Sequence, residues 1–436
     1  MKNCHWRFVR TLMPIIMIFT INQSVFATPL ELSVEECVAL AQENSPTVKI
    51  AEAGREKSFW GLKQARSGKG FNLSFIHSDT RYNTPPTTGF FGTDHYTYDN
   101  KFNNQLVLGR TLYSGGKVKG QIDAARFNLK IADLNIDAAK QQLKLDATTA
   151  YYDVLQYRDQ MQVSEESVDN LEAHLKNVKI QFGAGMVPKT DMLYSQVQVA
   201  TAEDGLIRAR NNYVNAVDNL LTVIGLPLSS ETEIKLKDTF KKEKYQLTMD
   251  ECVAYALENR PELAEYLANI SVAKAGVKIA ESGHWPSVSI QGTQDWYDQS
   301  FPGDKNSNWS VTLTTSYNIL DAGLTRSQSK QAKASLNAAR EQAKQTYDST
   351  ILEVRQAYNS MREAEKRIET TEEAVDVAEE NYRLSEIGYT AGVGTNLNVI
   401  DAQSALTQAK SLNIQAMHDY SVTRAQLERA MGIKVS

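Results

Sequence analysis

Apolar residues recur at helical spacing along two long stretches of the chain, and no proline interrupts either stretch. After Gly323 they are Tyr347, Ile351, Val354, Tyr358, Met361, Ile368, Val375, Ala378 and Tyr382. After Gly116 they are Tyr151, Val154, Met161, Val168, Leu171 and Leu175. This spacing is typical of a heptad seam. A helix running from near Gly116 to Phe182 would be about 100 Å long, so we predict paired coiled-coil helices rather than a compact globule.

Both long helices are predicted to end at a glycine turn. Residues 182–188 read Phe-Gly-Ala-Gly-Met-Val-Pro, and residues 389–395 read Tyr-Thr-Ala-Gly-Val-Gly-Thr. Glycine adopts the positive backbone angle that a helix stop requires. Helical spacing resumes directly after each turn, and a short connection makes the two helices antiparallel neighbours. Each stretch therefore predicts a helical hairpin whose tip lies at these glycines.

Between the helical segments, apolar and polar residues alternate with a period of two, which predicts half-buried strands. We place four strands at about 71–82, 100–112, 286–297 and 308–319. Trp285, Trp296 and Trp309 lie at or beside strand ends, as expected for aromatic residues at a membrane interface. A soluble sheet edge would show the same alternation. Since a spanning barrel needs about eight strands, a membrane role requires several chains to pool theirs.

The chain contains two similar halves. Residues 32–46 match residues 247–261 with an offset of 215 residues, the distance from Cys37 to Cys252. From Gly116 onwards the offset is 207 residues. The eight extra residues of the first half are expected in an exposed loop around 85–92.

We divide the mature chain at residue 247. The first repeat, 28–246, contains a helix, two strands, a hairpin at about 114–226 and a connecting segment. The second repeat, 247–436, has the same order, with its hairpin at about 321–432.

The first 27 residues are read as a signal peptide. Lys2, Arg7 and Arg10 precede a short apolar stretch at 12–21, and Val25-Phe-Ala27 suits cleavage after Ala27. No later segment offers about 18 consecutive apolar residues, so ordinary transmembrane helices are not expected in the mature chain.

Composition argues against several kinds of chemistry. The formal charge is −5 with acidic and basic residues well mixed, which gives no face for nucleic acid. The histidines are scattered without metal-ligand spacing, so we expect no metal, no cofactor and no enzyme. Cys37 and Cys252 occupy equivalent repeat positions on apolar helix faces. Packing explains them, and a disulfide between them stays open as an alternative.

An ordered set of motifs now distinguishes the chain. A signal peptide precedes two hairpin repeats, Ser114-Gly-Gly-Lys117 and Asp321-Ala-Gly-Leu324 follow the strands, and Ala-Gly turns stand at the hairpin tips. In this order the chain resembles the TolC-type outer membrane efflux proteins, over essentially everything after Ala27.

The resemblance implies a mainly α fold with a membrane β-barrel. Three identical chains would contribute four strands each to one twelve-stranded barrel in outer membrane lipid, and their hairpins would form a periplasmic α-barrel. Residues 226–247, the mature N-terminus and the region near Met431 would form an equatorial collar. The duct would be a passive exit channel for tripartite efflux or type I secretion in a Gram-negative bacterium. A periplasmic adaptor would join it to an inner membrane pump of the ABC, RND or MFS type.

The resemblance also implies a gate at the periplasmic end of the second hairpin. Asp401 is expected at the constriction, with Asn398 three residues earlier on the same helix face. Tyr389 and Asp191 match family positions that hold the hairpins together. Some relatives carry a basic residue in place of Gly394 and an aspartate in place of Asn398, so these links are expected to be weaker here.

The glycine turns are the expected adaptor contacts, because a turn with few side chains lets a partner helix approach closely. The residues predicted for this contact are Gly185, Met186, Gly392, Val393 and Gly394. Two alternatives belong to other classes. A periplasmic coiled-coil adaptor or structural protein without a membrane barrel would share the hairpins, although adaptors usually have one hairpin beside a lipoyl-like domain. A self-contained porin would need at least about eight strands in one chain.

Overall fold

The computed structural model describes residues 30–84, 97–228, 234–242 and 244–433. The predicted signal peptide and the predicted loop insertion around 85–92 lie outside the described residues. Within them the chain is mostly helical, and the predicted fold class is confirmed. No described helix combines the length and the apolar character that crossing a membrane requires.

The elements run in the same order in both halves. The first half contains β1 (Leu30–Leu32), α1 (Val34–Asn44), α2 (Pro46–Ser67), β2 (Asn72–Thr84), β3 (Thr97–Ser114), α3 (Lys117–Gly183) and α4 (Lys189–Val223). β4 (Ile234–Leu236) follows in the segment between the repeats, and the second half contains α5 (Met249–Asn259), α6 (Pro261–Glu281), β5 (Ser287–Asp298), β6 (Asn306–Ser316), α7 (Leu324–Thr390) and α8 (Asn396–Met431). The two long helices, α3 and α7, each have 67 residues.

Each half begins with two helices where the sequence predicted one. Pro46 and Pro261 stand at the first position of α2 and α6. Proline has no N–H to continue the preceding helix, but it suits the start of a new one. The preceding helices α1 and α5 begin with capping boxes, which pair Ser33 with Glu36 and Thr248 with Glu251.

The four long strands form one antiparallel sheet in the order β2-β3-β5-β6. Its register aligns Leu73 with Leu108, Leu108 with Gly292, and Gly292 with Val311. The face that carries these residues also carries Phe75, Leu106, Ile290, Trp309 and Leu313. The other face carries Ser74, Gln105, Gln291, Thr293, Asp295, Asn308, Ser310 and Thr312. One face is thus mainly apolar, although it also carries Asn104 and Gln294, and the other is mainly polar, although it carries Ile76 and Val107. Among the described residues, β2 and β6 have no strand on their outer edges.

Two separate apolar cores lie where the short helices pack against the hairpins. The first core contains Cys37, Tyr151 and Leu220, and the second contains Cys252, Met361 and Leu427. Both cysteines are free and fully buried, each in its own core. Packing therefore accounts for them, and the alternative of a disulfide between them is wrong.

A short parallel pair of strands joins the start of the described chain to the segment between the repeats. Leu30–Leu32 pairs with Ile234–Leu236. Beside this pair the Tyr151 hydroxyl donates to Asp238 Oδ2 at 2.8 Å and lies 3.1 Å from the carbonyl oxygen of Leu32. This hydroxyl ties α3 to both ends of the first repeat.

The contact between the two hairpins, which we call the inter-hairpin seam, lies between α3 and α8 and is polar along most of its length. Its hydrogen-bonded pairs, from the collar to the tips, are Gln141–Gly432, Lys144–Glu428, Asp153–His418, Gln156–Gln415, Gln160–Ser411, Ser167–Thr407, Asn170–Gln403 and His174–Asn396. By contrast, the second hairpin packs internally through apolar residues such as Val354, Ile368 and Tyr420. Each hairpin is thus a unit, joined to the other by hydrogen bonds along the seam and, near the tips, by apolar contacts of Val399 and Ile400 with the first hairpin.

Candidate functional site at the hairpin tips

Both hairpin tips are built by the same backbone motif. At the first tip the Met186 N–H donates to the Gln181 carbonyl, and the Gly185 N–H donates to Phe182. At the second tip Val393 and Gly392 donate to Gly388 and Tyr389 in the same way. These are Schellman motifs. They require the positive φ angles of 75° at Gly185 and 77° at Gly392, which explains the glycine in each Ala-Gly turn.

The tips present little side chain apart from two apolar residues. Met186 is 72% exposed and Val393 is 85% exposed. Gly394 lacks space for any side chain, since a Cβ there would lie 2.9 Å from the backbone nitrogen of Tyr389. The five turn residues Gly185, Met186, Gly392, Val393 and Gly394 remain predicted adaptor contacts.

The two polar gate candidates of the second hairpin lie on the exposed side of α8. Asp401 and Asn398 are both exposed, whereas Val399 and Ile400 between them are buried. Asn398 takes part in starting the helix: its N–H donates to Thr395 Oγ1 at 3.3 Å, and that hydroxyl donates to Asn398 Oδ1 at 2.8 Å. Asn398 therefore serves as part of the helix cap, and Asp401 carries the negative charge of this face.

The structure brings Tyr389 and Asp191 close without joining them by a hydrogen bond. Tyr389 is buried, and its hydroxyl is the one buried side-chain polar atom without a hydrogen-bond partner in the described part of the chain. Burial raises the pKa of Tyr389, and the nearby Asp191 carboxylate raises it further. Both effects keep the phenol protonated, as a donor without an acceptor.

Three residues that the sequence did not single out form the polar centre of this site. Asn396, at the start of α8, accepts hydrogen bonds at its Oδ1 from His174 Nε2 at 2.7 Å and from Ser195 Oγ at 3.1 Å. Its Nδ2 donates to the backbone oxygen of Asp191 at 3.2 Å. The His174 ring also packs edge-on against Tyr389, with centroids 4.9 Å apart. Asn396 thus binds α3 and α4 at once.

Within the described residues, the first hairpin has no counterpart of this cluster. The equivalent of Asn396 in the first hairpin is Lys189, and the equivalent of His174 in the second is Asn381; both are exposed. Only one copy of each pair is buried, so the two hairpins pack asymmetrically at their tips. Burial lowers the pKa of His174, against the hydrogen bond to Asn396 and the charge of Glu386. His174 is therefore neutral at neutral pH.

At the opposite end of the molecule the predicted interface tryptophans lie at both ends of the sheet. Trp285 is exposed just before β5, and Trp309 is exposed in β6 opposite Gln294. Trp296 lies near the far end of β5 and is half-buried. The described residues contain no cluster of three or more His, Cys, Asp or Glu that could hold a metal ion.

Comparison with known proteins decides the family. The model of the outer membrane efflux protein family matches the chain twice, over residues 37–226 and 253–433. The chain belongs to the outer membrane efflux protein family. The two matches coincide with the two repeats, and the predicted family resemblance is confirmed.

Individual relatives agree with this assignment. This efflux protein is 24% identical over 416 residues to the outer membrane protein TolC of Escherichia coli K12, covering 90% of this chain and 80% of TolC. It is 25% identical to the alkaline protease secretion protein AprF of Pseudomonas aeruginosa, covering 90% and 83%. Both are similar to it across most of their length.

Solved structures share its fold. The Campylobacter jejuni CmeC outer membrane channel matches with a TM-score of 0.81 at 16% identity, covering 92% of this chain and 85% of CmeC. The outer membrane protein VceC of Vibrio cholerae matches with a TM-score of 0.79 at 16% identity, covering 92% and 96%.

This efflux protein is an exit duct for efflux and secretion in the outer membrane of a Gram-negative bacterium. The alternatives of a periplasmic adaptor and a self-contained porin are set aside.

Proposed function

We propose that three copies of this chain assemble into one passive channel that is gated at its hairpin tips. The observation that carries the proposal is the four-stranded sheet, which has one apolar face, one polar face and two unpaired edges. A sheet alternating in this way suits a wall between lipid and water. Its free edges need partners, because unpaired backbone groups are costly in a bilayer.

The partner that satisfies both edges is a second copy of the same sheet. If β6 of one subunit pairs with β2 of the next, the ring closes without a free edge. Three copies supply twelve strands, above the minimum of about eight. The apolar face then contacts outer membrane lipid, and exposed Trp285 and Trp309 lie towards the two interfaces.

The helical part continues the channel into the periplasm. Helices of 67 residues span about 100 Å, and they place the tips far from the sheet. There Asp401, with Asn398, Tyr389 and Asp191, forms the gate. Gly185, Met186, Gly392, Val393 and Gly394 contact a periplasmic adaptor, which connects the duct to an inner membrane pump of the ABC, RND or MFS class. The duct itself performs no catalysis.

Cysteine cross-linking tests the assembly directly. Ser78→Cys in β2, combined with single cysteines moved along β6, should produce cross-linked dimers and trimers in outer membrane fractions. β2 and β6 lie at opposite edges of one sheet, so such links form only between chains. Yields should alternate with a period of two, because successive residues face opposite sides.

The matched control is Ser78→Cys with Asn103→Cys, which are direct neighbours within one chain and should give a cross-link inside a monomer. Recovery of the wild-type protein as a soluble periplasmic monomer would contradict the proposed channel.

A further inference from the structure

The inter-hairpin seam ends at its most buried polar contact. His174 is 2% exposed and Asn396 is 6% exposed. Asn396 is held from α3 by His174, from α4 by Ser195 and by the backbone of Asp191. These bonds fix α3 and α4 relative to the first turn of α8, and Asp401 lies one turn further along the same helix.

Burial, and not the hydrogen bond to Asn396, favours the neutral imidazole in this arrangement, because a charged imidazole would also donate from Nε2. Asn396 Oδ1 is an acceptor, so His174 donates from Nε2, and its ring packs edge-on against Tyr389. The charged groups that face the cluster are acidic: Glu386 on α7 and Asp191 on α4, whereas α8 contributes the neutral Asn396. No hydrogen bond of the described structure joins the imidazole to either carboxylate.

We propose that Asn396 is the positioning residue of the gate, and that His174 makes its hold on the first hairpin sensitive to protons, so that acidification loosens the tip. This inference rests on the proposed channel function. Protonation places a charge in a site closed to water, and moving α8 away from α3 hydrates that charge.

The direction of the pH effect follows from the two states of the histidine. In the packed tip burial lowers the pKa of His174, whereas a hydrated histidine in a loosened tip has a pKa of about 6.5. The loosened tip thus binds the proton more tightly. Above pH of about 6.5 the packed tip keeps its full advantage, and this advantage falls as the pH drops further. Each unit of difference changes the ratio of the two states by about tenfold per subunit.

The rest of the seam responds differently, which allows a control. His418 lies between Asp153 and Asp419, and these carboxylates raise the pKa of His418 despite its burial. Its ion pairs are therefore present at lower pH and are lost as the pH rises through that raised pKa. Acidification strengthens this part of the seam while it weakens the His174 contact.

Single-channel conductance of purified trimers in planar bilayers tests the proposal. Between about pH 7.5 and about pH 5 the wild-type conductance should rise several-fold. His174→Gln keeps a donor near Asn396 but cannot take up a proton, so its conductance should lose most of that rise. His418→Gln should retain it. Asn396→Leu, which removes the acceptor, should be open across the whole pH range.

The outcomes separate the inference from the function on which it rests. A rise that persists unchanged in His174→Gln overturns the proton-sensitive contact, and a closed Asn396→Leu channel overturns its positioning role. Asn396→Gln has the same amide group on a longer side chain, so it should close the channel partly where Asn396→Leu leaves it open. If Asn396→Leu acted only through a general loss of packing, the amide of glutamine would not restore closure. If wild-type trimers do not conduct at any pH, the channel function itself fails.

Discussion

The two repeats keep the same apolar core and differ in the polar groups at its edge. Leu220 in the first core and Leu427 in the second are equivalent, and both are fully buried. At the collar, however, Ser45 of the first repeat corresponds to Arg260 of the second. Ser45 merely caps α2, whereas the buried Arg260 pairs with Glu262 and Glu353.

In the described part of the chain, the ion pairs around Arg260 are absent from the first repeat, where only the acidic character of Glu353 is kept, by Asp146. Arg429 binds the same two acids, Glu262 and Glu353. The corresponding residues of the first repeat are Thr47, Asp146 and Thr222, together with Ser45. The first repeat instead uses the Tyr151–Asp238 hydrogen bond. The two repeats thus share the apolar core but stabilise its edge with different polar contacts: ion pairs of Arg260 and Arg429 in the second, and the Tyr151–Asp238 hydrogen bond in the first.

The largest expected effect tests whether the cores are equivalent. Leu220→Ala and Leu427→Ala should each destabilise the protein by about 2–5 kcal/mol, through lost burial and a residual cavity. The two values should agree within about 1 kcal/mol. The measurement is the shift in the midpoint of heat-induced trimer dissociation in detergent. The entropy of that transition converts the shift into a free energy. Leu412→Ala at an exposed site of α8 is the control, with a change below about 0.5 kcal/mol. A large effect from one core alone would break the equivalence.

The second largest effect tests the difference between Arg260 in the second repeat and Ser45 in the first. Arg260→Met should cost about 1–3 kcal/mol, because it leaves Glu262 and Glu353 without their buried partner, although both acids are partly hydrated and keep Arg429. Ser45→Ala at the equivalent position should cost about 1 kcal/mol, the loss of one helix cap. Equal costs for the two variants, measured by the same dissociation midpoints, would mean that the ion pairs add nothing beyond capping.

The smallest effect separates the two tips. Asp401→Ala should raise the conductance of the trimer and reduce its cation preference, by less than about tenfold, or about 1.4 kcal/mol. The equivalent residue of the first hairpin is Tyr194, and Tyr194→Ala should leave cation preference unchanged. Bilayer recordings with a salt gradient give both quantities. An unaltered conductance and ion preference in Asp401→Ala would remove this residue from the gate.

Much of the architecture could be predicted because its causes are local or repeated. Helical spacing, the glycine turns and the alternation in the strands each depend on neighbours in the sequence, and the repeat aligned the tips through Gly185 and Gly392. The break before Pro46 and Pro261 was visible too, but we extended one helix across it. Tyr347, predicted as a seam residue, is exposed in the single chain.

The cluster around Asn396 could not be predicted in the same way. His174 and Asn396 are 222 residues apart, and neither residue type nor spacing indicates that they meet. Asn398 was singled out as a gate residue, yet its side chain is occupied by the cap with Thr395. The chemistry of the tip depends on how the two hairpins pack against each other. The sequence pattern within one hairpin does not indicate that packing.

The pairing of β1 with β4 sets an order on folding. Val34, just after β1, donates its N–H to Asp238, 204 residues later, and Leu30–Leu32 pairs with Ile234–Leu236. A chain that enters the periplasm from its N-terminus must expose the first core until the segment after the first hairpin arrives. Closing so long a loop is slow compared with forming the hairpin itself. The first repeat is thus translated earlier but completed only when the second repeat begins to emerge.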